Sequence, residues 1–396
     1  MISPIRLWWI LLDLFPDILV WVGYLQKAPF VFIFLAVSLF FILSYILNHT
    51  SKTIKAVSLN LAVIFFFLGF WEAYLAGLIQ VQSIKDRDLV KDEDIWYSGT
   101  LRVRDPLLDY ALKKNAAVRE KVSIGNQSAY DVTYTTNRYG WRVSPHDIMR
   151  IDFKPGYRDV FFFGCSIAFG TGLADDETLP FIFEKGSSGK YKSFNFANQG
   201  YGPQQMLVLL NSGRIDSVAS DNKPAIAIYE AVDWQIERAA CKYPYVFWAS
   251  GNPHYVLNRF GELELDFRSP GNPSIRKIIY QSRICRTILN SLICRSRSQK
   301  DISLFMEIVK EAKKAFEDKY QGEFYVLFWD RLSDPATSKK LLSAFKDARI
   351  NVFKISDILP AHSYTEFKKL YLLKHDMHPN ALVNKLIAKY LLERIK

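Results

Sequence analysis

The chain has 396 residues, enough for two or more compact units, with 49% hydrophobic residues, 15% aromatic residues and a formal net charge of +11. Residues 1–96 carry 7 Lys or Arg against 8 Asp or Glu, so the whole basic excess lies further along; it favours anionic surfaces, and with no nucleic-acid motif present it argues against DNA or RNA as a partner. Four cysteines decide little: Cys241, Cys285 and Cys294 can supply one disulfide, with Cys285 and Cys294 spaced to close a short loop, or all are free, packed thiols.

From Leu7 to Leu25 the chain is apolar but interrupted by Asp13, Pro16 and Asp17. Pro29 to Leu47 has no charge in 19 positions, and Ala56 to Ile79 has only Glu72. A helix of that first uncharged length rises about 28 Å, close to the hydrocarbon thickness of a bilayer. Residues 1–83 are therefore expected to form a transmembrane anchor of about three helices, 7–25, 29–47 and 56–79. A cleaved signal peptide fits poorly, because no small-residue cleavage site follows the first segment and further spans come directly after it. Asp13 and Asp17 stand one turn apart on a shared face. They suit an interface or a neighbouring helix, the alternative being a polar site within the membrane. With Arg6, Lys52 and Lys55 on the cytoplasmic side, the rest of the chain falls outside. The expectation is an integral protein of the plasma or inner membrane with an extracytoplasmic C-terminal domain.

Residues 84–157 read as a charged linker followed by a short β-rich leader. Within it "AYDVTYTTNRYGWR" alternates polar and β-favouring residues before Asn137 and Gly140 signal a turn. From Arg158 the rhythm becomes strand, helix, strand. The strands are "DVFFFG", "KSFNFA", "PAIAIYEA", "EFYVLFW" and "INVFKIS"; the helices fall near Leu179–Lys185, Pro203–Ile215, Asp301–Tyr320, Ser338–Ala348 and Asn380–Lys396. Short apolar strands separated by helices predict an α/β fold over 158–396, with a parallel five-stranded sheet between two helical layers. Residues 239–297 break that rhythm with aromatics, Gly and Pro, and read as an insertion able to roof a pocket. There is no internal repeat.

Ligands of an open parallel sheet bind beyond the carboxyl ends of its strands. Ser166, in "FFFGCSIAFGTG", follows the first strand where a helix N-terminus offers amide hydrogens to an oxyanion. Gly200 and Gly202 flank Tyr201 after the second strand, where a bare backbone approaches a ligand closely. "KHDMHPN" places His378 as a candidate base and Asp376 as the group that orients its ring, with Pro379 in the first turn of the last helix. As metal ligands His375, Asp376 and His378 would come from a single short segment with no partner cluster, so neither a metal nor a cofactor is expected.

In this order the pieces resemble the SGNH, or GDSL, hydrolase superfamily, whose fold is flavodoxin-like. "GCS" is similar to its first block with Cys165 in the middle, and "FGTGLADDETLP" is similar to the stretch after that serine in many members. "NFANQGYGPQQ" matches its second block through Asn195 and Gly200, and "DMHPN" matches its last. "TNRYGWR" resembles the leader of membrane-tethered members, and the two-residue spacing of Asp376 and His378 resembles exported relatives that handle acetyl groups on polysaccharides. The resemblance covers about residues 130–396, the insertion apart. It implies Ser166, His378 and Asp376 as catalytic residues and the Ser166 and Gly200 amides as oxyanion donors, with Asn195, Tyr201, Asp233 and Trp234 near the substrate. The third block departs from the pattern: Val232 stands where Asn would donate to the oxyanion, with Gln235 as a candidate substitute.

The function implied is a membrane-anchored serine esterase or O-acyl (acetyl) transferase acting on acyl esters of envelope glycan or lipid. Its partners would be the bilayer, the acylated glycan or lipid and a membrane-bound acyltransferase. The alternative is a catalytically inactive SGNH-like module that binds a glycan or a partner enzyme, with Trp234, Tyr243, Trp248 and Tyr255 as sugar platforms.

Overall fold

The structure, a computed structural model, describes residues 29–47, 52–85, 93–124, 127–218, 224–241, 251–266, 284, 297–374 and 376–395. Segment 7–25 with Asp13 and Asp17 lies outside the described residues, as do Tyr243, Trp248, Cys285, Cys294 and His375. The chain divides into two compact units, Met1–Lys91 with Gly271–Arg295, and Asp92–Pro270 with Ser296–Lys396.

In the first unit, α1 (Pro29–Leu47) and α2 (Lys52–Lys85) lie against each other. The stretch Lys52–Ala73 of α2 is long and apolar enough to cross a membrane, and the apolar part of α1, Ile33–Ile46, is shorter. Serines of the two helices turn inward. Ser38 Oγ donates to the Ala62 carbonyl at 2.8 Å, the Ser44 and Ser58 hydroxyls meet at 3.2 Å, and Phe41 stacks on Phe65 at 5.8 Å. Phe40, Phe66, Phe67, Phe70 and Trp71 are each more than half exposed. Glu72 is buried, and its Oε2 accepts the Ile284 amide at 2.9 Å.

The second unit is built on a five-stranded parallel sheet. Its leader contributes β1 (Glu93–Tyr97), β2 (Arg102–Asp105), β3 (Asp109–Leu112), β4 (Ala117–Ile124) and β5 (Gln127–Thr135). Then come β6 (Arg158–Phe163), β7 (Tyr191–Asn195) and β8 (Ile226–Ala231), a small hairpin of β9 (Tyr255–Leu257) and β10 (Leu263–Leu265), and finally β11 (Glu323–Phe328) and β12 (Asn351–Lys354). The parallel sheet runs β12-β11-β8-β6-β7, and these five strands coincide with the five read from the sequence.

Alternate residues of β6 feed two cores, which is why its apolar run has no polar face. Phe161 and Phe163 pack with Phe194, Tyr229 and Phe328 on one side, while Val160 and Phe162 pack with Ile226, Ile228 and Leu327 on the other. The Phe161 ring meets Tyr320 edge-on at 5.0 Å, and Phe162 meets Phe183 at 5.6 Å. The helices that cover the sheet, with the short α3 (Ser166–Phe169), are α4 (Leu179–Gly186), α5 (Pro203–Asn211), α6 (Gln235–Ala239), α7 (Gln299–Tyr320), α8 (Pro335–Asp347), α9 (Tyr364–Tyr371) and α10 (Ala381–Arg394). α5 stops at Asn211, short of the expected Ile215, because Gly213 is a poor helix former just beyond. Pro379 falls outside α10, whose cap is Asn380: its side chain accepts the Val383 amide at 3.2 Å.

The leader forms an antiparallel sheet in the order β1-β4-β5 and a β2–β3 hairpin. It packs onto the start of the parallel-sheet domain through Leu101, Leu112, Val118 and Tyr134, which meet Ala168, Phe169 and Ala197. Most of the expected roof, 242–250, 267–283 and 285–296, lies outside the described residues. The described part of the insertion, the β9–β10 hairpin, lies against α5 and α7 and helps line a groove with Leu207, Val208, Glu307 and Glu311. The leader takes the place beside Ser166.

Candidate active site

Ser166 opens α3 immediately after β6. The turn that presents it depends on Gly164, whose φ of +153° is one that L side chains rarely adopt, and a Cβ there would come within 2.8 Å of the Ala168 side chain. Cys165 caps α3 and is fully buried in the second core, so its thiol is packing. Ser166 Oγ lies 4.0 Å from the Cys165 sulfur.

The loop bearing the other two residues is closed by its own backbone. A bridge pairs Leu372 with Pro379, and Leu373 donates to the His378 carbonyl at 2.8 Å. Inside this loop Asp376 Oδ1 sits 2.8 Å from His378 Nδ1 and also accepts the His378 amide at 3.1 Å. The loop packs closely over Gly172, where φ is +76° and a Cβ would come within 2.4 Å of the Leu373 side chain. Ser166 and His378 line one cleft of about 280 Å³ with Tyr97, Arg102, Glu120, Thr171, Gln199, Gly200 and Arg238.

None of the other expected site residues lines that cleft. Asn195 is buried below the cleft: its Nδ2 donates to the Ala168 carbonyl at 3.2 Å and its Oδ1 accepts the Ala197 amide at 3.2 Å, so it braces the serine turn. Tyr201 is buried, donates to the Tyr110 carbonyl at 2.7 Å and packs on the Tyr110 ring. Asp233 pairs with Arg297 and accepts the Asp334 amide at 2.7 Å. Trp234 is packed against the second core. Gln235 is fully buried; its Oε1 accepts the Tyr229 hydroxyl at 2.7 Å and the Val232 amide at 3.2 Å, and its Nε2 points to the Glu230 carbonyl. Its amide group is committed to the end of β8 and does not reach an oxyanion. Tyr255, expected as a sugar platform, is buried in the first core.

The leader supplies what the sequence reading missed. The Arg142 guanidinium is fully buried under the serine turn. Its Nη1 donates to the Phe169 and Gly170 carbonyls at 2.7 and 2.6 Å, its Nη2 to the Leu173 carbonyl and its Nε to Asp175 at 3.1 Å. The rings of Tyr134 and Phe169, edge to face at 5.1 Å from each other, lie 4.7 and 4.9 Å from it. Burial pulls this guanidinium below its ordinary range, and Asp175 opposes the shift. From β4, buried Glu120 receives the Tyr134 hydroxyl, which in turn accepts the Gly172 amide at 2.9 Å. Burial raises the Tyr97 phenol, and its hydrogen bond to Glu120 raises it further. The signals were "TNRYGWR" for Arg142 and "LADDET" for Asp175; nothing local marks Glu120 or Arg102.

One buried carboxyl next to the serine turn lies outside the cleft. Glu230, on central strand β8, accepts the Trp329 indole N–H at 2.9 Å, while its other oxygen is buried with no partner among the described residues. Burial raises its pKa to about 7. A carboxyl raised in the folded state favours folding fully only below its unfolded value, and that contribution disappears as pH rises through 7. Glu230→Gln is therefore expected to stabilise the protein by up to about 3 kcal/mol at pH 8. The gap to the parent should narrow steadily toward pH 4.5, as followed by denaturant unfolding at a series of pH values.

No family model and no curated protein matches the chain. Several solved structures are similar to it at low level. A member of the lipolytic protein G-D-S-L family from Veillonella parvula has 12% identity and a TM-score of 0.35, over 60% of this chain and 98% of that one. A carbohydrate acetylesterase family member from Sinorhizobium meliloti has 9% identity and a TM-score of 0.30, over 60% and 96%. A GDSL-like lipase from Bacteroides thetaiotaomicron has 12% identity and a TM-score of 0.29, over 60% and 89%. Superpositions this loose are likenesses only.

Proposed function

We propose that the chain is a membrane-anchored serine esterase or O-acyl transferase of the SGNH type, working on acyl esters through Ser166, His378 and Asp376. The observation that carries this reading is the shared cleft: Ser166 and His378 line it together, and Asp376 occupies Nδ1 of the imidazole, which leaves Nε2 for the serine. Ser166 Oγ attacks the acyl carbon and its proton passes to His378 Nε2. Asp376 holds the Nδ1 proton and stabilises the imidazolium. The oxyanion meets the Ser166 and Gly200 amides, neither of which has a protein acceptor among the described residues. The leaving alcohol takes the proton back, and water or a sugar hydroxyl resolves the acyl-enzyme. The serine–imidazole hydrogen bond is not made in this structure, as is common before substrate binds.

The anchor is α1 and α2, supported by the span-length apolar stretch of α2 and by the exposed aromatic rings of its surface. On this reading the domain is extracytoplasmic at the plasma or inner membrane, acts on envelope glycan or lipid and draws acyl groups from a membrane-bound acyltransferase. A second reading is favoured by one observation: with Val232 buried and Gln235 committed to β8, no third-block side chain donates to the oxyanion, as in an inactive binding module.

A serine-directed fluorophosphonate separates the two readings, because Ser166 Oγ displaces fluoride from phosphorus only if His378 accepts its proton. Covalent labelling of the full chain is expected, and it should vanish in Ser166→Ala and in His378→Ala. A parent chain that takes no label, or a label retained in both variants, would refute the enzyme.

A further inference from the structure

We propose that the ester-bearing molecule taken by this cleft also carries an anionic oxyacid group, a carboxylate or a phosphate, and that Arg102 receives it; this rests on the esterase reading above. Arg102 lies on β2, exposed, and lines the cleft with Ser166 and His378. It has no carboxylate partner among the described residues. Three other arginines of the unit are paired: Arg142 with Asp175, Arg214 with Asp105, and Arg297 with Asp233 and Glu237.

What holds Arg102 is neutral. Its Nη2 donates to Gln199 Oε1, whose amide group is tied by its Nε2 to Thr171 Oγ1 at 3.0 Å, and the guanidinium lies 5.1 Å over the Tyr110 ring. The Tyr110 hydroxyl donates to the Gln199 carbonyl at 2.8 Å, and the hairpin is tethered further by Asp105 to Arg214. The side chain is thus oriented with its charge uncompensated and most of its five donors unspent, which suits a planar or tetrahedral oxyanion.

The rest of the lining agrees. Arg238 adds a second guanidinium, with Nη1 on the Tyr201 carbonyl at 2.9 Å. The one lining carboxylate, Glu120, is occupied by the hydroxyls of Tyr134 and Tyr97. An uncharged ester would leave the Arg102 charge unanswered, whereas an anionic one pairs with it.

The test uses the full chain in detergent micelles with three esters: acetylated glucose, acetylated glucuronate and acetylated glucose 6-phosphate. The anionic esters should exceed the neutral one in kcat/KM by about tenfold or more, chiefly through KM. Arg102→Gln should bring that ratio close to one, and Arg102→Lys should keep part of it. Which anion is preferred identifies carboxylate or phosphate as the source. Equal kcat/KM for all three esters, or a ratio that Arg102→Gln leaves in place, overturns the proposal. Titrating the Ser166→Ala chain with the same esters separates the subsite from the chemistry. Anion-selective binding lost in the added Arg102→Gln variant, with no turnover by the parent, would retain the anion subsite and remove the esterase. Equal binding of all three esters would remove the subsite whatever the turnover.

Discussion

Ser166→Ala is expected to lower kcat for short-chain ester hydrolysis by about four orders of magnitude or more, with KM little changed, since the lost hydroxyl acts in the transition state. Asp376→Asn should fall between that variant and the parent: the ring would stay in place while losing the carboxylate that selects its tautomer. The Ser166 loop is heavily braced, which keeps the substitution local. Asn195 holds the Ala168 carbonyl, Arg142 holds the next carbonyls and Gly172 admits the His378 loop. Removing one Oγ leaves all of these untouched, so a Ser166→Ala protein that hydrolyses esters at the parent rate would place the chemistry elsewhere.

The second large effect is on stability. Arg142→Met should destabilise the protein by about 3–5 kcal/mol, because it strips a buried cation from Asp175 and leaves the Phe169, Gly170 and Leu173 carbonyls without their donor. Arg142→Lys should recover little of this, since a single ammonium cannot reproduce a planar fork that serves Phe169, Gly170, Leu173 and Asp175 together. Denaturant midpoints of the full chain in micelles measure both. A midpoint for Arg142→Met close to that of the parent would show that the guanidinium is not the keystone of this turn.

The parallel sheet was legible because each of its strands is a short apolar run, and the two cores claim alternate residues of the same run. Ser166, Asp376 and His378 stood out as candidates because they sit at strand and helix ends, where local residue order carries information, and the structure places Ser166 and His378 on one cleft. The Gln235 amide turns back on its own strand end, to Val232 and Tyr229, a contact that competes with a role in the cleft and that residue order does not reveal. The Asn195 amide is likewise engaged by Ala168 and Ala197. The contributions of Arg102 and Glu120 were hidden because leader strands alternate like any half-solvated hairpin, and only tertiary docking through Tyr134 on Phe169 turns them toward Ser166. Segment 7–25, with its two aspartates, lies outside the described residues.

The docking of the leader has an evolutionary corollary. One wall of the cavity comes from a module that precedes the sheet in the chain, while the reacting groups come from the sheet's own loops. On the proposed reading, the Arg102 wall of the cleft and the Ser166–His378 chemistry are encoded in separate stretches of the gene. Substitutions confined to β1, β2 and β4 would then alter that wall while Ser166, Asp376 and His378 are inherited unchanged.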